Sequence, residues 1–64
     1  MIEGMSRSMQ LRQDIIAAAR HLFDEQGYES TTLEHVAERL GLAVDLVIRF
    51  FYTKDALLEA VWSE

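Results

Sequence analysis

The sequence predicts an all-α fold, a small helical bundle, on three observations. Apolar residues recur at helical spacing in separate short segments of the chain. A glycine, which ends a helix at little steric cost, follows the first segment as Gly27 and the second as Gly41. No proline interrupts the 64 residues, of which 50% are hydrophobic. We expect three helices in a helix-turn-helix arrangement and the start of a fourth.

Length and composition exclude several other classes of protein. A chain of this length forms one small domain or part of a larger protein. It has no cysteine, so neither disulfides nor a cysteine-ligated zinc can reinforce the core. No apolar run approaches the roughly 20 residues of a membrane span, and the N-terminal segment lacks the apolar core of a signal peptide. We therefore expect a cytoplasmic protein with no membrane partner.

The first helix is expected over residues 9–26, after a flexible N-terminal arm at residues 1–8. At 100° per residue, one side of this helix collects its large apolar side chains. These are Leu11, Ile15, Leu22 and Phe23, with Ala18 and Ala19 between them. Gly27 then ends the helix, and Tyr28 is expected to fold back on its last turn.

The second helix is expected over residues 32–40. Thr31 and Glu34 have the spacing of a capping box, in which each side chain accepts a hydrogen bond from the other residue's backbone N–H. Gly41 ends this helix, where a positive φ is cheap for glycine. A third helix is expected over residues 44–51, which completes a helix-turn-helix domain at residues 9–53.

Thr53 is expected to cap a fourth helix that starts at Lys54 and occupies residues 54–64. Because its apolar pattern continues to the last residues, we expect the chain to be part of a longer protein.

Two helices that pivot on one glycine are typical of the helix-turn-helix, whose second helix enters the DNA major groove. The formal net charge of −5 argues against nonspecific DNA binding by the whole chain. Within residues 31–54, however, acidic and basic side chains balance.

The order and spacing of these features resemble the N-terminal DNA-binding domain of the TetR family of transcriptional regulators, from Arg12 to Val61. The residues that carry the resemblance are Ile15, Ala18, Ala19, Leu22, Phe23, Gly27, Tyr28, Thr31, Thr32, Val36, Ala37, Gly41, Phe51, Lys54, Ala56 and Leu57. The resemblance implies a three-helix homeodomain-like domain. Its fourth helix would lead into an effector-binding and dimerisation domain that is absent from this chain. It also implies a homodimeric repressor that leaves a palindromic double-stranded DNA operator when a small-molecule effector binds.

The third helix departs from the family pattern at three places. Ala43 stands where the family usually has a small or hydroxyl cap, so one helix N–H loses its partner at a cost of about 1 kcal/mol. Ile48 and Arg49 stand where family tyrosines often contact phosphate. Asp45 stands where a small residue lets the helix approach the DNA backbone. These departures leave open whether the helix still contacts DNA.

The outward face of the third helix supplies the candidate base contacts. With Val47 pointing inward, Asp45 and Arg49 lie about 160° and 200° away. Arg49 could bind guanine through two hydrogen bonds. Asp45 could accept a hydrogen bond from a cytosine amino group, or could pair with Arg49 four residues later. Ile48 could meet a thymine methyl group, or could pack against another helix.

Candidate phosphate contacts lie at two helix starts. Thr32 could offer its hydroxyl to a phosphate, or could serve only as a local cap. Lys54 begins a helix, where the dipole disfavours a cation, so a phosphate contact is indicated. Arg7 and Arg12 could reach along DNA as a basic arm, but we expect a disordered, idle arm. Phe50 is expected to be exposed or packed under the fourth helix. The candidate DNA-binding residues are Thr32, Val44, Asp45, Ile48, Arg49, Phe50 and Lys54.

No arrangement of residues suggests catalysis or a cofactor. His21 and His35 fall on different helices without ligand spacing, and no nucleophile, base and orienting group occur together. We therefore expect no enzymatic activity, no catalytic residues, no metal and no cofactor. An alternative function is a protein-interaction module, in which a degenerate helix-turn-helix presents Leu46, Ile48 and Phe50 to a partner.

Overall fold

The computed structural model describes residues 7–63 as four helices. These are α1 (Arg7–Gln26), α2 (Leu33–Leu40), α3 (Val44–Phe50) and α4 (Lys54–Ser63). No strand occurs among residues 7–63, and the predicted all-α fold is confirmed. None of the four helices has the length and apolar character needed to cross a membrane.

The N-terminal boundary differs from the prediction. Residues 1–6 of the expected arm lie outside the described residues, but Arg7 and Ser8 belong to α1. The helix therefore starts at least two residues before the predicted residue 9. Neither glycine nor proline lies between Arg7 and Met9, and arginine and methionine are good helix formers, so nothing local stops the helix there.

Each helix contributes at least one fully buried side chain to the core. Ile15 of α1, Val36 of α2, Val47 of α3 and Leu57 of α4 are each 0% exposed. The first helix packs against α2 and α4, and α2 packs against α3. Buried alanines on α1, α2 and α4 let these helices approach one another closely. The helical periodicity of the sequence thus selects the buried faces correctly.

The loop between α1 and α2 is built on Gly27, whose φ is +89°. Its N–H donates to the Phe23 carbonyl at 3.0 Å, and the Tyr28 ring packs 5.3 Å from the Phe23 ring, as the predicted fold-back requires. Thr31 is fully buried, and its hydroxyl donates to the Gly27 carbonyl at 2.8 Å. The carbonyl of Leu22 lies 3.4 Å from the same oxygen.

The predicted capping box of Thr31 and Glu34 is wrong by one residue. Thr32 is the N-cap of α2: its hydroxyl accepts from the His35 N–H at 3.1 Å, and Nδ1 of His35 accepts from the Thr32 N–H at 3.1 Å. The physical reason is that the Thr31 side chain is fully buried, with its hydroxyl directed to the Gly27 carbonyl at the end of α1 and not to the first turn of α2. The exposed neighbour therefore caps the helix.

The α2–α3 turn is short and closed by backbone hydrogen bonds. Gly41 has φ +71° and ψ +31°, and its N–H donates to the Glu38 carbonyl at 3.1 Å. The N–H of Leu42 donates to the Ala37 carbonyl at 2.8 Å, which completes a Schellman-type ending. Ala43 then starts α3 without a side-chain cap, as its sequence predicts.

The last turns of the domain lie close to the predicted positions. The third helix ends at Phe50, one residue before the predicted end, because Phe51 is extended with φ −135° while its side chain enters the core. The Thr53 hydroxyl accepts from the Ala56 N–H at 3.1 Å. This is the expected cap of α4, which begins at Lys54 as predicted.

Candidate nucleic-acid interface

The outward face of α3 presents two charged side chains. Asp45 and Arg49 are exposed, while Val47 on the opposite side is fully buried. The ion pair considered for Asp45 and Arg49 is not formed. In the described part of the chain, Arg49 has neither an ion pair nor a hydrogen bond. Its guanidinium is therefore free to bind an external acceptor.

The apolar side chains of α3 differ in how much they pack against the core. Val44 and Phe50 are half-buried and pack against the core, so each contributes to holding α3 in place. Leu46 and Phe50 line a groove against the first turns of α1, which is a different side from the expected packing of Phe50 under α4. Ile48 is half-buried on the helix flank. Of these side chains, Ile48 suits a contact with a thymine methyl group best.

Thr32 stands at the start of α2 and is exposed. Its hydroxyl oxygen accepts from the His35 N–H, which is the local role considered for it. A hydroxyl group can accept and donate at once, so the Thr32 proton is still available to a phosphate oxygen. The capping function and a phosphate contact are therefore compatible at this residue.

Lys54 has an internal partner that the sequence did not indicate. Its Nζ donates to the Tyr28 carbonyl at 2.7 Å and lies 4.2 Å from the centroid of the Tyr28 ring. The Tyr28 hydroxyl in turn donates to the carboxylate of Asp55, and this hydrogen bond, followed by burial, raises the pKa of Tyr28. These contacts stabilise a cation at the start of a helix. They leave other N–H groups of the ammonium available to a phosphate.

The candidate residues are held separately by their own helices. Among residues 7–63, no hydrogen bond or ion pair links Thr32, Arg49 and Lys54 to one another. No group of three His, Asp or Glu side chains in that range converges as a metal site. The geometry offers an exposed face on α3 and polar donors at the starts of α2 and α4.

Arg7 and Arg12 were expected in an idle arm, and the structure corrects this. Both lie on α1. The guanidinium of Arg12 lies 5.3 Å from the Phe51 ring centroid, and Arg7 lines the groove beside α3. A first helix predicted to begin two residues earlier would have included Arg7.

An ion pair between Arg39 of α2 and Glu25 of α1 links these two helices. Both nitrogens of the Arg39 guanidinium face the carboxylate of Glu25, at 3.3 Å and 3.4 Å. Hydrogen bonding from Arg39, together with its charge, lowers the pKa of Glu25. Both side chains are exposed, so this pair orients the helix more than it stabilises the fold.

Comparison with known proteins agrees with this geometry. The sequence profile of bacterial regulatory proteins of the tetR family matches residues 15–61. The HTH-type transcriptional regulator YjdC of Escherichia coli (strain K12) is 43% identical over 47 residues, which cover 73% of this chain and 25% of that protein. The regulator HbdR of Aromatoleum sp. (strain CIB) is 40% identical over 47 residues, which cover 73% of this chain and 20% of HbdR.

A third relative, the HTH-type transcriptional regulator BetI of Burkholderia thailandensis, is 41% identical over 49 residues, which cover 77% of this chain and 25% of BetI. The matched part of the chain thus spans a fifth to a quarter of the length of these relatives. All three are named as transcriptional regulators, in agreement with the expectation that this chain is not an enzyme. Its four helices, the turn at Gly41 and the family match together identify the chain as the helix-turn-helix DNA-binding domain of a member of the TetR family.

Proposed function

We propose that this domain binds a specific operator sequence with α3 in the DNA major groove. The observation that carries the proposal is the guanidinium of Arg49, which is exposed on the outward face of α3 and has no ion pair or hydrogen bond among residues 7–63. The buried side chain of Val47 and the closed turn at Gly41 fix the direction of that face. A guanidinium held in this way can bind the O6 and N7 atoms of guanine, the commonest specific contact in the major groove.

The other α3 residues have supporting roles in the proposal. Asp45 accepts a hydrogen bond from a cytosine amino group, and Ile48 meets a thymine methyl group. Val44 and Phe50, which pack on the core, set the depth of α3 and border the contact with their exposed parts. The specificity of the domain then depends mainly on Arg49 and Asp45.

Phosphate contacts complete the proposed interface. The Thr32 hydroxyl donates to one phosphate oxygen, and the remaining N–H groups of Lys54 bind another. Tyr28 supports this role because its carbonyl oxygen accepts a hydrogen bond from the Lys54 ammonium at 2.7 Å and so holds the ammonium in place. Because few cations take part, binding should depend less on salt than binding by a strongly basic domain.

For the whole protein we propose a homodimeric cytoplasmic repressor on a palindromic operator. The part of the protein outside this chain would form the dimer and bind a small-molecule effector that releases the DNA. Membership of the TetR family and the greater length of the curated relatives support this proposal.

The test uses the full-length protein and duplexes selected from a randomised pool. Arg49→Ala should weaken binding to the selected duplex by about 5- to 150-fold per half-site, which corresponds to about 1–3 kcal/mol for a bidentate base contact. It should also relax the preference at one base pair. The matched control is Arg20→Ala on α1, whose guanidinium donates to the Val61 carbonyl near the end of α4. Unchanged affinity and base preference for Arg49→Ala would show that α3 does not contact bases through this residue.

The alternative, a protein-interaction module, is not favoured. It required Leu46, Ile48 and Phe50 to form an exposed apolar face, but all three are half-buried, and Leu46 and Phe50 line the groove against α1. The names of the relatives also indicate transcriptional regulation. Added salt should weaken binding to DNA measurably, even though few cations take part, whereas it should not weaken an apolar protein interface.

A further inference from the structure

We propose that the groove between the first turns of α1 and the last turn of α3 is a second DNA contact. In this contact, Arg7 binds the phosphate backbone beside the base pair that Arg49 contacts. This inference rests on the proposed function, which places α3 in the major groove. It places Arg7, which the sequence offered only as part of a possible flexible basic arm, on α1 in the same groove as Arg49.

The groove has a floor and a rim of different chemistry. Its apolar lining residues, Leu11 from α1 and Leu46 and Phe50 from α3, are half-buried and form its floor. Its two arginines, Arg7 and Arg49, come from different helices, are exposed and form its rim. An apolar floor beneath cationic side chains matches a sugar–phosphate strand, which has an apolar deoxyribose face and charged oxygens.

The charges of the groove also favour an anion. Among residues 7–63, Asp14 is the only acidic residue that lines the groove, and the Gln10 side chain donates to the Asp14 carboxylate at 3.0 Å. Neither Arg7 nor Arg49 forms an ion pair or a hydrogen bond within the described part of the chain. The groove therefore has a net charge of about +1 from its lining residues, although the chain has a net charge of −5.

The position of the groove beside α3 identifies the DNA backbone as its occupant. The major groove is about 12 Å wide, and a helix with its side chains is about 10–12 Å across. A helix that enters this groove therefore has a phosphate strand close to each flank. Arg49 belongs both to the outward face of α3 and to the rim of the α1 groove, so the two surfaces are continuous. A strand that flanks α3 on the side of Leu46 and Phe50 must pass the first turns of α1.

The experiment measures salt dependence with the full-length protein, using a duplex selected from a randomised pool and an unrelated duplex. Arg7→Gln should reduce the slope of log affinity against log salt by about 0.9 for each half-site. For a dimer, the wild type should then lose about 12-fold more affinity than the variant between 50 and 200 mM salt. The change in slope should be similar on both duplexes, because a phosphate contact has no base preference.

The control is Arg20→Gln, which removes the same charge from α1 at a site roughly 20 Å along the helix. That distance exceeds the Debye length of about 8–10 Å, so the slope should stay close to that of the wild type. Asp14→Asn supplies a test of opposite sign. Removing this carboxylate should tighten binding about two- to fivefold at 50 mM salt, and the gain should shrink at 200 mM.

The outcomes separate this inference from the proposed function. In one outcome, Arg7→Gln and Asp14→Asn leave the affinity and the salt slope of the wild type unchanged, while Arg49→Ala relaxes base preference. This outcome would overturn the α1 contact and leave the proposed function of α3 intact. Equal slopes for Arg7→Gln and Arg20→Gln would also overturn it, since the effect would then be one of overall charge. A full-length protein that selects no duplex from the pool would overturn both.

Discussion

Gly41 allows a quantitative test of the turn that sets α3 against α2. Its φ of +71° and ψ of +31° are left-handed values that an L-side chain rarely adopts. A Cβ added to Gly41 would meet no atom within 4 Å, so the space around the residue is open. The cost of Gly41→Ala therefore comes from the local backbone conformation and not from a clash with neighbouring side chains.

The expected magnitude follows from two opposing contributions. The left-handed conformation costs an L-residue about 1–2 kcal/mol relative to glycine. Alanine also restricts the unfolded chain, which returns about 0.4–1 kcal/mol. The free energy of unfolding should thus fall by about 1 kcal/mol, which lowers Tm by roughly 4–8 °C in a domain of this size. Gly41→Asn should cost less, because asparagine adopts this conformation more readily.

Thermal and urea unfolding of the two variants, followed by circular dichroism, measures these differences. The two hydrogen bonds of the turn, from the N–H groups of Gly41 and Leu42, do not require glycine and should persist in both. A loss above about 3 kcal/mol for Gly41→Ala would exceed the conformational cost and contradict the open surroundings. An unchanged or raised Tm would show that residue 41 does not adopt a positive φ.

Three further predictions concern residues around the same turns. Thr31→Val should lower the free energy of unfolding by about 1–3 kcal/mol in urea titrations, because the Gly27 carbonyl loses its buried hydroxyl donor, and Thr31→Ser should retain that bond. Ala43→Ser should add about 0.5–1 kcal/mol, since residue 43 already has N-cap geometry without a side-chain acceptor; an unchanged urea midpoint would contradict this. The hydrogen bond to Asp55 raises the pKa of Tyr28 above its usual 10.0, so its contribution to stability is complete below pH 10.0 and is lost as pH rises through the raised value. Tyr28→Phe should remove this alkaline-side dependence from unfolding curves, and an identical dependence in the variant would refute the assignment.

The helices and their buried faces were predictable because their signals are local. The 100° periodicity selects Ile15, Val36 and Val47, and each of these side chains is fully buried. Gly27 and Gly41 end the first two helices at positive φ, as their places after the apolar segments indicate. These features depend on residues within one or two turns, so a single sequence contains the necessary information.

The features that were missed depend on distant parts of the chain. Thr31 and Thr32 are equally good N-caps in isolation, and the choice between them depends on the Gly27 carbonyl, which the loop brings to the Thr31 hydroxyl. Lys54 and Tyr28 are 26 residues apart, so no periodic pattern could indicate their hydrogen bond. The candidate contacts of α3 remain predictions, because a helix face exposes side chains without specifying what they bind.

The net charge is a further case in which the sequence alone misleads. A charge of −5 argues against nonspecific DNA binding by the whole chain, but a phosphate responds mainly to charges within a Debye length of about 8–10 Å. The fold gives some of the acidic side chains internal partners: Glu25 faces Arg39, and Asp55 accepts from Tyr28. Arg7 and Arg49, by contrast, line one groove and have no ion pair in the described part of the chain. Affinity for DNA should therefore follow the local charge of that groove. Single substitutions there should change binding more than substitutions of equal charge elsewhere on α1.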